Sequence, residues 1–215
     1  MKWFIALLLL VFLLASACIT KISSCDSLEG SAKDDCNLES RRCSKIENIG
    51  VRDSCVTELA KAKDDVAVCK LIVTPQTRDF CHEQLAIQQN NHNLCQNISD
   101  QYWEDNCHFN LAINNNKEVY CSLIHDEEQY QQCFRTIAYA TNNPILCEFL
   151  ATDQQEGCYF RIAGNRGNES VCSDIKTPLN RDACRLKVAK VTSNEKICAL
   201  IKFNEVKKNC LEYFQ

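Results

Sequence analysis

Apolar residues recur along this chain at helical spacing, and their phase is tied to cysteine. Three residues after one set of cysteines stand Leu28, Ile46, Ile72, Ile98, Ile124, Leu150, Ile175 and Ile201. Four residues after the alternate set stand Leu59, Leu85, Leu111, Ile137, Ile162 and Val188, each followed by alanine: Ala60, Ala86, Ala112, Ala138, Ala163 and Ala189. Offsets of three and four put these side chains on one helix face with the cysteines, and that face is the expected core. The small alanines let neighbouring helices approach closely. No stretch shows the strict alternation of a half-buried strand.

The cysteines act as a ruler. From Cys43 onward their separations alternate between 12 (once 11) and 14, so every second cysteine returns after 26 residues (once 25) up to Cys198. A fixed period in this range marks a repeat protein. Seven units and a shortened first one opened by Cys25 fill residues 25–215 as a single domain.

Polar positions keep the same beat. The fourth residue before each first cysteine is Glu39, Asp65, Asn91, Lys117, Asn143, Asn168 or Asn194. The fifth residue after it is Asn48, Thr74, Asp100, Asp126, Thr152, Thr177 or Phe203. Asn, Asp and Thr accept hydrogen bonds from the unpaired amides of a helix start. Asn116 and Asn204 stand beside the exceptions Lys117 and Phe203 as substitute caps, and Pro75, Pro144 and Pro178 follow cap positions, where a missing N–H costs nothing. Each unit is thus expected to hold two helices, one of about eight residues and one of about thirteen.

Residues 1–17 read as an address. Met1-Lys2 precedes an apolar run from Trp3 to Leu14, and Ala15-Ser16-Ala17 supplies the small residues of a signal-peptide cleavage site. Residues 18–24 are then a short N-terminal tether. Leu14-Ala15-Ser16-Ala17-Cys18 resembles the lipoprotein box of bacteria and archaea, which implies lipid attachment at Cys18. Plain cleavage, leaving Cys18 an ordinary secreted cysteine, is the alternative. Seventeen cysteines are an odd number, and a lipidated Cys18 accounts for the odd one. The chain is expected to be exported to the cell envelope or surface, anchored in the membrane by lipid, or else secreted and soluble.

An exported chain matures where cysteines oxidise, so the rest are expected in disulfides. Twelve residues of unbroken helix separate Cα atoms by about 18 Å, whereas a disulfide needs roughly 4.4–6.8 Å. Pairing within a unit therefore requires the chain to reverse between its two helices. Pairing each second cysteine with the next unit's first instead meets a gap of seven at Cys36 and Cys43 and strands Cys25 and Cys210. The within-unit scheme uses all sixteen: Cys25–Cys36, Cys43–Cys55, Cys69–Cys81, Cys95–Cys107, Cys121–Cys133, Cys147–Cys158, Cys172–Cys184 and Cys198–Cys210. The fold class expected is all-α, a right-handed solenoid of about eight disulfide-stapled helical hairpins with a 26-residue period. This design resembles secreted cysteine-rich Sel1-like proteins, relatives of the tetratricopeptide repeat in which each hairpin carries its own disulfide. The resemblance implies a binding scaffold and transfers no individual residues.

Composition and charge narrow the function. The chain has 215 residues, 46% apolar and 24% charged, with only five Gly and three Pro. This excludes collagen-like, linker-like and turn-dense β classes. A net charge of −4 offers no basic excess for phosphate backbones, so nucleic acid is not an expected partner. No Gly-x-Ser-x-Gly elbow, His-Glu-x-x-His, phosphate loop or Gly-rich nucleotide turn occurs. Accordingly no enzymatic activity, cofactor or metal is expected. Asp53, Asp79, Asp105 and Asp182, each two residues before a second cysteine, read as a solvated face or interhelix ion pairs. His82 and His108, each directly after a cysteine, read as surface residues too far apart to share an ion. Asn97-Ile98-Ser99 and Asn168-Glu169-Ser170 match the glycosylation acceptor pattern.

Aromatic residues are the most suggestive surface feature. Trp103, Phe109, Phe134, Tyr159 and Phe160 gather near second cysteines of consecutive units, either as inter-repeat packing or as a groove for a protein, peptide or glycan. The expected function is a non-enzymatic extracytoplasmic binding or assembly scaffold. An envelope hydrolase would need a polar cluster that breaks the repeat, and a thiol-based metal or redox protein would need reduced cysteines.

Overall fold

The computed structural model describes residues 25–215, so the signal sequence expected at 1–17, the tether expected at 18–24 and the lipid attachment expected at Cys18 lie outside the described residues. Described residues form short 3-10 helices alternating with α-helices, and no strand occurs among them. The 3-10 helices are η1 (Cys25–Ser27), η2 (Cys43–Lys45), η3 (Val66–Leu71), η4 (His92–Asn97), η5 (Glu118–Leu123), η6 (Pro144–Phe149), η7 (Glu169–Asp174) and η8 (Glu195–Leu200). The α-helices are α1 (Gly30–Glu39), α2 (Ile49–Lys63), α3 (Pro75–Gln89), α4 (Gln101–Asn115), α5 (Glu127–Thr141), α6 (Thr152–Arg166), α7 (Pro178–Thr192) and α8 (Asn204–Tyr213).

Each unit is a helical hairpin, with two corrections to the sequence expectation. In the full-length units the short helix is six residues of 3-10 type rather than about eight residues, and the long one has fifteen residues rather than about thirteen. A left-handed terminator, a capping residue, six residues of 3-10 helix, a three-residue link and fifteen of α-helix complete the period. The terminators are Asp64, Asn90, Asn116, Asn142, Gly167 and Ser193, all with positive φ. Asx and Gly suit this position because they tolerate the left-handed region best. Asn116 is therefore not a substitute cap; it ends α4. Likewise Asn204 is the first residue of α8, and Lys117 and Phe203 hold their cap positions without a side-chain bond. Asp65, Asn91, Asn143, Asn168 and Asn194 do cap, each accepting from the amide two residues on. Glu39 does not; it ends α1. Among the second set Asn48, Asp100 and Asp126 cap α2, α4 and α5, while Thr177 makes no such bond and Thr152 already lies inside its helix.

Seven staples follow the within-unit scheme: Cys25–Cys36, Cys43–Cys55, Cys95–Cys107, Cys121–Cys133, Cys147–Cys158, Cys172–Cys184 and Cys198–Cys210. Their Cα atoms lie 5.5–5.8 Å apart, the distance a chain reversal provides. Cys69 and Cys81 are disulfide-bonded as well.

The described residues divide into two compact units, 25–78 and 79–215. In the second unit, Leu111, Ile137, Ile162 and Val188 with their alanines form one continuous core around the disulfides. There η5, η6, η7 and η8 each pack between two α-helices, as η6 does between α5 and α6.

The first unit opens with a shortened hairpin. Whereas α2 runs eight residues past Cys55, α1 stops three past Cys36, and η2 has three residues where later 3-10 helices have six. The left-handed terminator is Arg41, five residues after Cys36 instead of nine. Of the seven missing residues, four lie between Cys36 and the terminator and three between the terminator and Cys43, close to one turn of α-helix and one of 3-10 helix, so both segments keep their phase. Lost with them is the apolar-alanine pair, for Ser40 and Arg41 stand in its place.

Candidate functional site

Sequence reasoning placed four aspartates on a solvated face or in interhelix ion pairs; the structure buries them. Asp53, Asp79, Asp105 and Asp182 are no more than 2% exposed. All four accept from the backbone amides that open the following α-helix, while Asp182 also pairs with Arg185 at 3.4 Å and Asp105 with the His125 ring at 3.2 Å. Asp53 accepts from Val73 and Thr74, Asp79 from Ser99 and Asp100, Asp105 from His125 and Asp126, and Asp182 from Lys202 and Phe203. Asp34, missed at first, does the same with Glu47 and Asn48 at 2.8 and 2.9 Å. Helix starts carry orphan N–H groups and partial positive charge, so a carboxylate is well matched there. These acids are a second, non-covalent clamp from one hairpin to the next.

The clamp tunes its own ionisation. Burial pushes the Asp53 and Asp105 carboxyls up, but the hydrogen bonds they accept outweigh it and hold both below the usual carboxylate range. Asp34 is lowered by the Glu47 and Asn48 amides. At one position the column changes. The link between η6 and α6 is one residue short, and Gln131 supplies a single neutral acceptor to the Ala151 amide at 2.7 Å. In α6, Glu156 accepts from the Thr177 amide and the Asn180 side chain, which lower it.

The histidines are also corrected: His82 and His108 are buried, not surface residues. The His108 and His92 rings lie 6.4 Å apart, and His92 packs on Tyr120 at 5.3 Å. Desolvation, aided by His92, pushes the His108 imidazole down to about 4, so it is neutral near pH 7. Glu83, also buried, accepts from Asn106 and Asn110; burial pushes its carboxyl up and those two bonds only partly offset it. Among the described residues no group of three His, Cys, Asp or Glu is placed to hold a metal ion.

The aromatic residues separate into two classes. Phe134 and Tyr159 are core residues, in keeping with the inter-repeat packing of the two readings; burial pushes the Tyr159 hydroxyl up. Trp103, Phe109 and Phe160 are half-buried and pack against that core. The structure thus brings the five together as packing rather than as an open row. Exposed apolar side chains lie elsewhere, on α-helices as well as on 3-10 helices, and on two consecutive 3-10 helices they fall in register. Val119 and Leu123 on η5 recur as Ile145 and Phe149 on η6, all four exposed at equivalent positions of consecutive repeats. Phe149 stacks on buried Phe134 with ring centroids 4.5 Å apart, which fixes the outer ring on the core. The signal for this row was in the sequence, in columns two residues either side of the first cysteine, where η4 and η7 carry Asn93, Asn97, Ser170 and Asp174.

The fold defines a class: a disulfide-stapled, all-helical repeat protein, with the oxidised cysteines typical of extracytoplasmic proteins. No family model, curated protein or solved structure matches the chain. Among the described residues no helix is long and apolar enough to cross a membrane.

Proposed function

We propose that this protein is a non-enzymatic binding or assembly scaffold, exported and held at the cell envelope or surface by lipid on Cys18. The observation that carries the reading is the exposed row Val119, Leu123, Ile145 and Phe149, set on a doubly clamped core. Repeat stacking creates extended surfaces of this kind, and exposed apolar side chains in series mark contact sites. The architectural resemblance to Sel1-like proteins supports the same reading, and the lipoprotein-like Leu14–Cys18 segment supports the anchor. The partner chemistry suited to such a row is an extended or helical protein segment with apolar residues in register.

The test is site-specific photo-crosslinking in the cells that make the protein. A photoreactive residue in place of Leu123 or Phe149 should give discrete protein adducts. These should vanish when Val119 and Ile145 are changed to serine. Adducts absent from a folded, correctly exported protein would refute the scaffold surface. The anchor has its own readout, since intact mass must show loss of residues 1–17 and added acyl chains.

A further inference from the structure

The shortened first hairpin leaves α2 partly uncovered. Leu59 is half-exposed, although Leu85, Leu111, Ile137, Ile162 and Val188 at the same column position are all buried. Where the missing turns would lie, the first unit has a cavity of about 500 Å³ lined by Arg41, Arg42, Arg52, Val56, Leu59 and Leu71. Arg52, Val56 and Leu59 are spaced four and three residues apart and so form one stripe along α2. Among the described residues, the lining contains three arginines and no carboxylate.

Two further observations point to a ligand. The Arg42 Nε and Nη2 groups are buried and have no hydrogen-bond partner. A buried guanidinium N–H without an acceptor is costly, and a planar oxyanion is its natural complement. Beside it, Arg41 adopts φ +54° at the position that later repeats give to Asp, Asn, Gly or Ser. A long basic side chain is thus placed at the cavity through a backbone conformation that disfavours it.

We propose that this cavity binds a small anionic amphiphile, a carboxylate or phosphate head with an apolar body. The head pairs with the Arg42 fork, supported by the charges of Arg41 and Arg52, and the apolar body covers Val56, Leu59 and Leu71. Guanidinium forks match both oxyanions in a bidentate manner, and the cavity is within the size range of small-molecule pockets. The site is independent of the exposed row on η5 and η6.

The mature protein is titrated with decanoate and decyl phosphate below their micelle concentrations, with decanol and inorganic phosphate as partial probes, by calorimetry. Saturable one-to-one binding of both amphiphiles is expected. Decanol and phosphate alone should bind at least about tenfold more weakly, and Arg42→Ala should weaken decanoate by about tenfold or more. If Arg42→Ala does not fold, Arg42→Lys, which keeps the charge without the fork, and Leu71→Asp at the exposed rim carry the test with the same direction. Phe149→Ser should leave binding unchanged. Decanol binding as tightly as decanoate, no binding, binding unaffected by the Arg42 and Leu71 variants, or loss in Phe149→Ser would each overturn the proposal.

Discussion

The first hairpin and the later ones start from the same covalent plan and end with different interiors. In the second unit every α-helix from α4 to α7 carries its buried apolar residue and alanine past the second cysteine, and they close one continuous core. In the first unit α1 ends before that place, where Ser40 and Arg41 stand, and the unit has an arginine-lined cavity. The disulfide and the carboxylate clamp survive in both regions, at Cys25–Cys36 with Asp34 and at Cys95–Cys107 with Asp105. Staple and clamp therefore hold a hairpin in place even where apolar packing is incomplete. Removing whole turns, one of each helix type, opens space without disturbing phase.

The largest effect should come from the staples common to both regions. A disulfide closing a loop of this length contributes about 3 kcal/mol, and 3-10 helices of six residues have little stability alone. Reduction is expected to collapse the helical circular dichroism signal; an unchanged spectrum would show that packing alone suffices. Core truncation comes next and separates the regions. Leu111→Ala should cost about 2–5 kcal/mol, whereas Leu59→Ala, beside a cavity and already half-exposed, should cost about 1 kcal/mol. Equal losses in denaturant titration would deny the difference in packing. Asp105→Ala should cost about 2–4 kcal/mol by stranding two amides, and Asp105→Asn should restore part of it.

Acid should sharpen the contrast. His108 has an ordinary value of 6.5 and a folded value of about 4, so the unfolded chain binds its proton first. The stability it contributes is complete above pH 6.5, falls as pH drops, and is lost by about pH 4, on the order of 3 kcal/mol in all. The lowered carboxyls of Asp34, Asp53 and Asp105 contribute above the usual carboxylate value and are lost as pH falls through their folded values. Glu83 acts in the opposite sense, because its folded carboxyl is raised. His108→Phe should flatten the stability profile between pH 6.5 and 4, and an unaltered slope would remove His108 from the account. The smallest effect is expected at Val119→Ser, within about 0.5 kcal/mol of neutral.

The repeat, its all-helical hairpins and the pairing of its cysteines were legible because spacing alone constrains them. Cap chemistry was half legible: Asn143 and Asp100 cap as their side chains suggest, but Asn116 is used for its tolerance of positive φ instead. The aspartate column was visible as a pattern but was read as a solvated face or interhelix ion pairs. Its partners are backbone amides about twenty residues away, as from Asp182 to Lys202, and backbone amides leave no mark in side-chain identity. His108 was misread for a similar reason, since the ring beside it, His92, which itself packs on Tyr120, comes from a neighbouring segment. The short Cys36–Cys43 spacing was noticed, but only the helix ends show that it removes one turn from each helix and exposes Leu59.

The central claim is that regular repeats build the scaffold and that one break in the repeat builds a site. It is tested most directly by mending the break. Residues 37–42 are replaced by the sequence of residues 56–68, which lengthens the first hairpin by seven and restores the apolar-alanine pair. Thermal stability and decanoate titration are then read on the same preparation. The account predicts a higher melting temperature and loss of amphiphile binding. An unchanged melting temperature with binding intact would contradict it.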